Sequence, residues 1–522
     1  MIFRGSVLLG SLLLATGLAA APALELAPLF ADGAVLQRDV AHPVWGRAQP
    51  GAEVRVSFAG QTQTARAADD GSWRVTLAPL AGTARGTELQ VAAGRETRVV
   101  RDVVVGEVWL CSGQSNMEWT LQRSPALPAV EARGAVPEIR QFKVARAVAE
   151  APATMLAGEW QTLSPATAKS FSAVAYHFAE ALQSRLGVPI GLVNSSWGAT
   201  AVEAWMPAGA LARFPAIATR WERALEDFPA RQAAYEAERT AWKEKAAAMK
   251  ARGEKPGNDW PKPPEGRGTR SQPGGLFNAM IAPLVPFPFR GVLWYQAESN
   301  TGRAAEYAEY FPAMIEGWRA VWSAPEPAWF FFVQLPNYNV PNDKTGLRWA
   351  ELRAAQAAAL ALPRTGMAAT IDVGVPDNGH PPDKTAVGQR LARLAAGHVY
   401  ALESGDLTGP VARAARLDGA EVIVEFSSAA SGLALRDESA AAFEVTDAAG
   451  TAHPATARVD GTLLRVAGPA GVAPAAVRYA WRNHPPAPLF NGAGLPAAPF
   501  QILVHSAAPN PGGPKAPNPT SR

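Results

Sequence analysis

From Gly106 onward the chain alternates between two hydrophobic patterns, and that alternation leaves few folds open. Runs that are apolar almost throughout, GEVWL, PIGLVNSS, RGVLWYQ, AWFFFVQLP and TGMAATIDVG, are separated by helix-period segments. Those segments include SAVAYHFAEALQSRLG, YFPAMIEGWRAVW, RWAELRAAQAAALAL and KTAVGQRLARLAAGHVYALE. A strand with no polar face must be covered on both sides. Strands alternating with helices supply that cover by forming a parallel sheet with a helical layer on each face. The expectation is therefore an α/β core over residues 106–407, with any site at the carboxyl ends of its strands.

The flanks follow another rule. Residues 24–105 carry short alternating segments such as AEVRVSF and TELQVAA between turn residues, and residues 408–506 do the same in AEVIVEFSS, LLRVAG and AVRYAW. Both read as β-rich domains. Residues 208–275 interrupt the core with the helical YEAERTAWKEKAAAMKARG followed by a Pro/Gly-rich stretch. This insertion reads either as a roof over the site or as a solvated helical hairpin. Residues 1–23, one Arg and then apolar and small residues, form an expected signal peptide, so the mature protein is expected to be exported to the periplasm or the medium. Residues 507–522, rich in Pro, Gly and Asn, are expected to be a disordered tail.

Composition narrows the chemistry. A formal charge of +3 without a long basic run gives no reason to expect a nucleic-acid partner, and no later apolar run is long enough for a membrane span. The single cysteine, Cys111, excludes an intrachain disulfide and reads as a small core residue at the end of a strand.

Four polar clusters sit where core strands should end: SGQSNM (112–117), NSSWGAT (194–200), YQAESN (295–300) and DVGVPDNGHPPD (372–383). A serine nucleophile needs a base, and seven histidines are available. His177 and His398 lie in amphipathic helices, His42 and His453 precede prolines in the β regions, and His505 is near the end. His484 stays open. His380 is distinguished by its strand-to-helix loop and by Asp377 three residues earlier, a spacing at which a carboxylate can hold the imidazole's tautomer. Asp372 and Asp383 are rivals for that role, Asp383 reading better as a helix cap. No HExxH or CxxC pattern accompanies the loop, so neither metal nor cofactor is expected. There is no G-x-S-x-G elbow, which leaves Ser112, suited to the turn, and Ser115, at an expected helix start, as competing nucleophiles.

In order along the chain, SGQSNMEW, SSWGATAVEAWMP, LFNAMIAPL with GVLWYQAESN, VQLPNY, WAELRAAQ, IDVGVPDNGHPPDKTAVGQRLA and RYAWRNHPPAPLFNGAGLPAAPF together resemble the sialate O-acetylesterases of the SGNH-hydrolase superfamily. The resemblance runs from about Leu26 to Val504. It implies a three-layer SGNH core and an esterase acting on an O-acetylated carbohydrate, with O-acetylated sialic acid ahead of acetylxylan or another polysaccharide. It also implies Ser115 as nucleophile, His380 as base with Asp377, and an oxyanion hole from the Ser115 amide, Gly198 and the side chain of Gln296. Asn116, Trp197, Glu298 and Asn300 are candidate substrate contacts, as are Trp119, Trp294 and Arg353 for the sugar. One departure is visible: the family's Tyr-Gln-Gly-Glu reads Tyr-Gln-Ala-Glu here, and Ala297 is expected to avoid positive φ. A non-catalytic carbohydrate-binding protein is the alternative of another class, one expected to have lost its Ser, His or Asp first. Oligomeric state is open.

Overall fold

The computed structural model describes residues 24–256, 260–323, 326–436 and 440–505, so the expected leader and tail lie outside the described residues. The core strands are β1 (Glu96–Gly113), β2 (Val136–Val144), β3 (Gly158–Leu163), β4 (Ile190–Ser196), β5 (Gly291–Tyr295), β6 (Trp329–Val333) and β7 (Thr365–Ala368). They line up in the order β3-β2-β4-β1-β5-β6-β7. Every neighbouring pair is parallel except β3 with β2. The antiparallel edge strand β3, GEWQTL, is partly exposed and has no continuous apolar run by which periodicity would reveal it.

Besides the short helices Leu127–Arg133 and Ala208–Leu211, the α-helices that bear on the core and site are α1 (Ser115–Glu118), α2 (Ala173–Leu186), α3 (Pro215–Ala251), α4 (Ala304–Trp322), α5 (Arg348–Ala357) and α6 (Thr385–His398). Strand β6 shows why its sequence carries four successive aromatics. Successive side chains point to opposite faces. Phe330 and Phe332 meet Phe311 of α4, whereas Trp329 and Phe331 meet His398 of α6. On that second face Trp109 of β1 also packs against Phe178 of α2. Helices thus cover both faces, as the uninterrupted apolar strands require.

Strand β1 is 18 residues long and crosses the change of composition at Gly106 without a break. Its first half pairs with Thr83–Ala93 and, at Val104–Gly106, with Val35–Gln37; its second half lies between β4 and β5. The division expected at 105/106 is therefore not a break in secondary structure. The N-terminal region and the α/β region share one hydrophobic core, while most strands beyond residue 408 enclose a second. That C-terminal region is an eight-stranded sheet with a parallel pair, Val411–Asp418 beside Phe500–His505. It is tied back to the core by Arg353, which is fully buried and donates to the carbonyls of Pro336, Arg482 and Asn483. The insertion contains one 37-residue helix, α3, and not a helical hairpin among the described residues. No helix among them is long and apolar enough to cross a membrane.

Candidate active site

Strands β4, β1 and β5 end level, with Gly113 paired to both Ser196 and Tyr295. Gly113 has φ +130°, and a Cβ there would lie 2.2 Å from the Tyr295 carbonyl oxygen, so only glycine can make this exit from the sheet. Ser112 remains in the strand, fully buried, and takes no part in the turn expected of it. After one further residue α1 begins with Ser115.

Ser115 Oγ lies 2.7 Å from His380 Nε2, the geometry in which a hydroxyl donates to a neutral imidazole. Of the two competing serines, Ser115 is the one that meets a histidine; the buried Ser112 Oγ has no hydrogen-bond partner. The His380 amide donates to Asn378 Oδ1 at 2.9 Å, and its ring stacks on Trp119 with centroids 5.7 Å apart and planes 10° from parallel. Burial, together with the nearby cations Lys384 and Arg123, holds the imidazole pKa below 6.5, which keeps it neutral and able to take a proton. His484 is elsewhere, against Asn337.

The acidic candidates separate cleanly. Asp372 grips Arg390 with both oxygens at 2.7 Å, and Asp383 accepts from the Thr385 amide at the start of α6. Asp377 is exposed, and no hydrogen bond joins it to His380. The structure brings serine and histidine together and leaves the third expected member apart.

The expected oxyanion donors are distributed unevenly. The Ser115 amide is the first of α1 and has no intrahelical acceptor. Gly198 lies against Ser115, since a Cβ built on it would be 3.3 Å from Ser115 Cβ, but its N–H donates to Glu118 Oε2 at 2.9 Å. Glu118 is itself held by Arg146, which also lies over the Trp197 ring. Gln296 is not directed at Ser115: its amide donates to the Thr200 carbonyl and to Asn300 Oδ1.

Asn116 and Asn300 are fully buried and act within the frame. Asn300 accepts from the Val202 amide and donates to Glu203. Asn116 donates to Glu298 Oε1 and to the Gly379 carbonyl, and accepts from Lys384 Nζ. It thereby joins α1 to the loop after β5 and to the loop carrying His380. Trp294 is core and Arg353 is structural; Trp197 and Glu298 remain half-buried. Lys384 escaped the sequence reading, because a lysine beside a helix start reads as solvated. Here it is fully buried under the rings of Trp119 and Tyr295, and burial lowers its pKa to about 7. Glu298, desolvated by the same packing, has its pKa raised.

Two alanines flanking this site adopt positive φ, Ala199 at +57° and Ala297 at +155°. The second corrects the expectation that Ala297 would avoid that region. Gln114 explains its persistence, because Gln114 Oε1 accepts from the Ser299 amide and pins the turn. Among the described residues no group of three or more His, Cys, Asp or Glu is placed to hold a metal ion.

A hydroxyl delivered to an imidazole at the carboxyl ends of a parallel sheet is an arrangement that hydrolases use for nucleophilic attack on esters. No family model matches the chain. It is 33% identical over 416 residues to the sialate O-acetylesterase of Rattus norvegicus, covering 72% of this chain and 74% of that protein, and 30% identical to that of Homo sapiens, covering 72% and 71%. A solved carbohydrate acetylesterase from Xanthomonas citri superposes with TM-score 0.76 at 37% identity, over 92% of this chain and 99% of that one. The chain belongs to the sialate O-acetylesterase family.

Proposed function

We propose that this esterase removes O-acetyl groups from sugars through an acetyl-serine intermediate, on an SGNH-type core flanked by the two β-rich regions. The observation that carries the proposal is the 2.7 Å approach of Ser115 Oγ to His380 Nε2. As Oγ attacks the acetyl carbonyl, its proton passes to Nε2; the imidazolium then protonates the departing sugar oxygen, and water attacks the acetyl-enzyme to release acetate. The Ser115 amide is the donor best placed for the oxyanion. Gly198 joins it once Glu118 gives up its N–H. Asp377 would orient His380 only after a movement of its loop, and stacking on Trp119 fixes the ring meanwhile.

O-acetylated sialic acid is the first substrate by kinship with the curated relatives. Another acetylated carbohydrate is the second reading, favoured by the broader name of the Xanthomonas citri neighbour and its coverage of 92% of the chain. The apolar leader at 1–23 supports export to the periplasm or the medium. Acetate release from 4-nitrophenyl acetate, O-acetylated N-acetylneuraminic acid and acetylated xylan, each with wild type and Ser115→Ala, tests the reading. Turnover of an acetylated sugar that disappears in Ser115→Ala is expected; undiminished turnover in that variant would refute it.

A further inference from the structure

A cavity of about 300 Å³, within the ~300–1,000 Å³ range of small-ligand sites, is lined in part by residues that adjoin Gly198 and Glu298 in the chain. Its core-side lining includes Ala199 and Ser299. Each is one residue beyond a site residue: Ala199 follows Gly198, which touches Ser115, and Ser299 follows Glu298, with its amide bound to Gln114. The insertion supplies the rest of the lining, including Trp221 of α3 and Glu265. A second, more open cavity of about 780 Å³ continues along α3 and shares Arg220 and Glu265 with the first. The two form one cleft, longer than an acetyl group needs.

The chemistry of the walls is specific. Arg220 and Arg303 are both tied to the carboxylates of Glu203 and Glu306, so the cations of the inner cavity are already neutralised. Glu265 is exposed, and no ion pair engages it among the described residues. Carboxylate oxygens that need not hold a cation accept hydrogen bonds from hydroxyls and repel another carboxylate. The half-buried indole of Trp221 offers a flat apolar face. Hydroxyl acceptors beside an aromatic plane match a ring with polar edges and a C–H face.

We infer that the cleft between α3 and the core is a saccharide subsite, in which Trp221 and Glu265 bind uncharged sugar rings on the alcohol side of the ester. The inference rests on the proposed sugar deacetylation and deepens it: the insertion contributes contacts that select an oligosaccharide over a single ring. Trp221 and Glu265 contribute affinity and no chemistry, so their loss acts on KM and spares acetates that lack a sugar.

Two pairs of probes test this, O-acetylated N-acetylneuraminic acid against O-acetylated sialyllactose, and acetylated xylose against acetylated xylotetraose, with 4-nitrophenyl acetate as the sugar-free ester. Trp221→Ala is expected to raise KM about tenfold for the longer member of the pair that wild type hydrolyses, as loss of an aromatic anchor does. Glu265→Gln, at an exposed position that does not threaten folding, is expected to raise it about threefold, the scale of one weakened hydrogen bond. Glu236→Ala, farther along α3 and outside both cavities, should leave all substrates unchanged. Hydrolysis of 4-nitrophenyl acetate should stay at the wild-type rate throughout. An unchanged KM for the longer sugar in both cleft variants, or an equal loss on 4-nitrophenyl acetate, overturns the subsite alone. Wild type that cleaves 4-nitrophenyl acetate and no acetylated sugar overturns the proposed function and the subsite with it.

Discussion

Replacing Lys384 by Met separates what this buried ammonium costs the fold from what it gives the site. A fall in pKa from 10.5 to about 7 corresponds to roughly 5 kcal/mol against the charged form in the folded protein. Because the folded value is the lower one, that penalty is full below pH 7 and fades as pH rises toward 10.5. Methionine fills nearly the same volume without the penalty, but deprives Asn116 Oδ1 of its donor, a loss of about 1–3 kcal/mol. Lys384→Met should therefore be at least as stable as wild type at pH 6 and lose ground toward pH 10, as urea midpoints at several pH values would show. Activity should move the other way. At pH 6 the ammonium opposes protonation of His380, so its removal raises the imidazole pKa and shifts the acid limb of kcat/KM to higher pH. With the tie from α1 to the His380 loop weakened, kcat should fall about tenfold, the effect of roughly 1.4 kcal/mol. An acid limb that stays in place or moves down would refute the reasoning.

Other perturbations follow from the same geometry. Asp377→Asn should leave kcat/KM within about threefold, roughly 0.6 kcal/mol, because the carboxylate is exposed and does not meet His380; a loss of a thousandfold would mean that the loop closes over bound substrate. His484→Ala should retain wild-type hydrolysis of 4-nitrophenyl acetate, since its ring contacts Asn337 and not Ser115. Ala297→Gly should relieve about 1–3 kcal/mol of backbone strain against about 1 kcal/mol for the lost methyl. It should thus raise the urea midpoint at unchanged m, and a lower midpoint would contradict the strain assigned to φ +155°.

The parts of this structure that were legible in the sequence are those written in local pattern. Strand β6 announces itself because four consecutive aromatics can only belong to a strand buried on both sides. His380 is marked by its loop and by Asp377 three residues earlier, a local pattern, whereas Ser115 is separated from Ser112 only by the family resemblance. What escaped was set by long-range packing. Lys384 meets Asn116 across 268 residues of chain, and nothing near residue 384 reports the rings of Trp119 and Tyr295 that bury it. Asn116, Asn300 and Gln296 were of the right chemical type for substrate or oxyanion contacts, but their partners turned out to be one another's loops. Polar residues at strand ends serve frame and substrate alike, and only their hydrogen-bond partners distinguish the two uses. Glu118 and its hold on Gly198 were likewise invisible, since the glycine amide lies 80 residues away.

The unbroken course of β1 bears on how the protein could have been assembled and how it can be cut. The strand that starts among the N-terminal hairpins ends two residues before Ser115, so residues 24–105 are the root of the beam that carries it. A chain begun at Gly106 would lose residues 96–105 of the strand together with Val35–Gln37 and Thr83–Ala93, which pair with them, and so release the anchored end of that beam. Proteolysis within the N-terminal hairpins should therefore silence hydrolysis even though no residue there lies near the ester. The C-terminal sheet encloses its own core, making residue 408 the more natural seam for grafting or exchange.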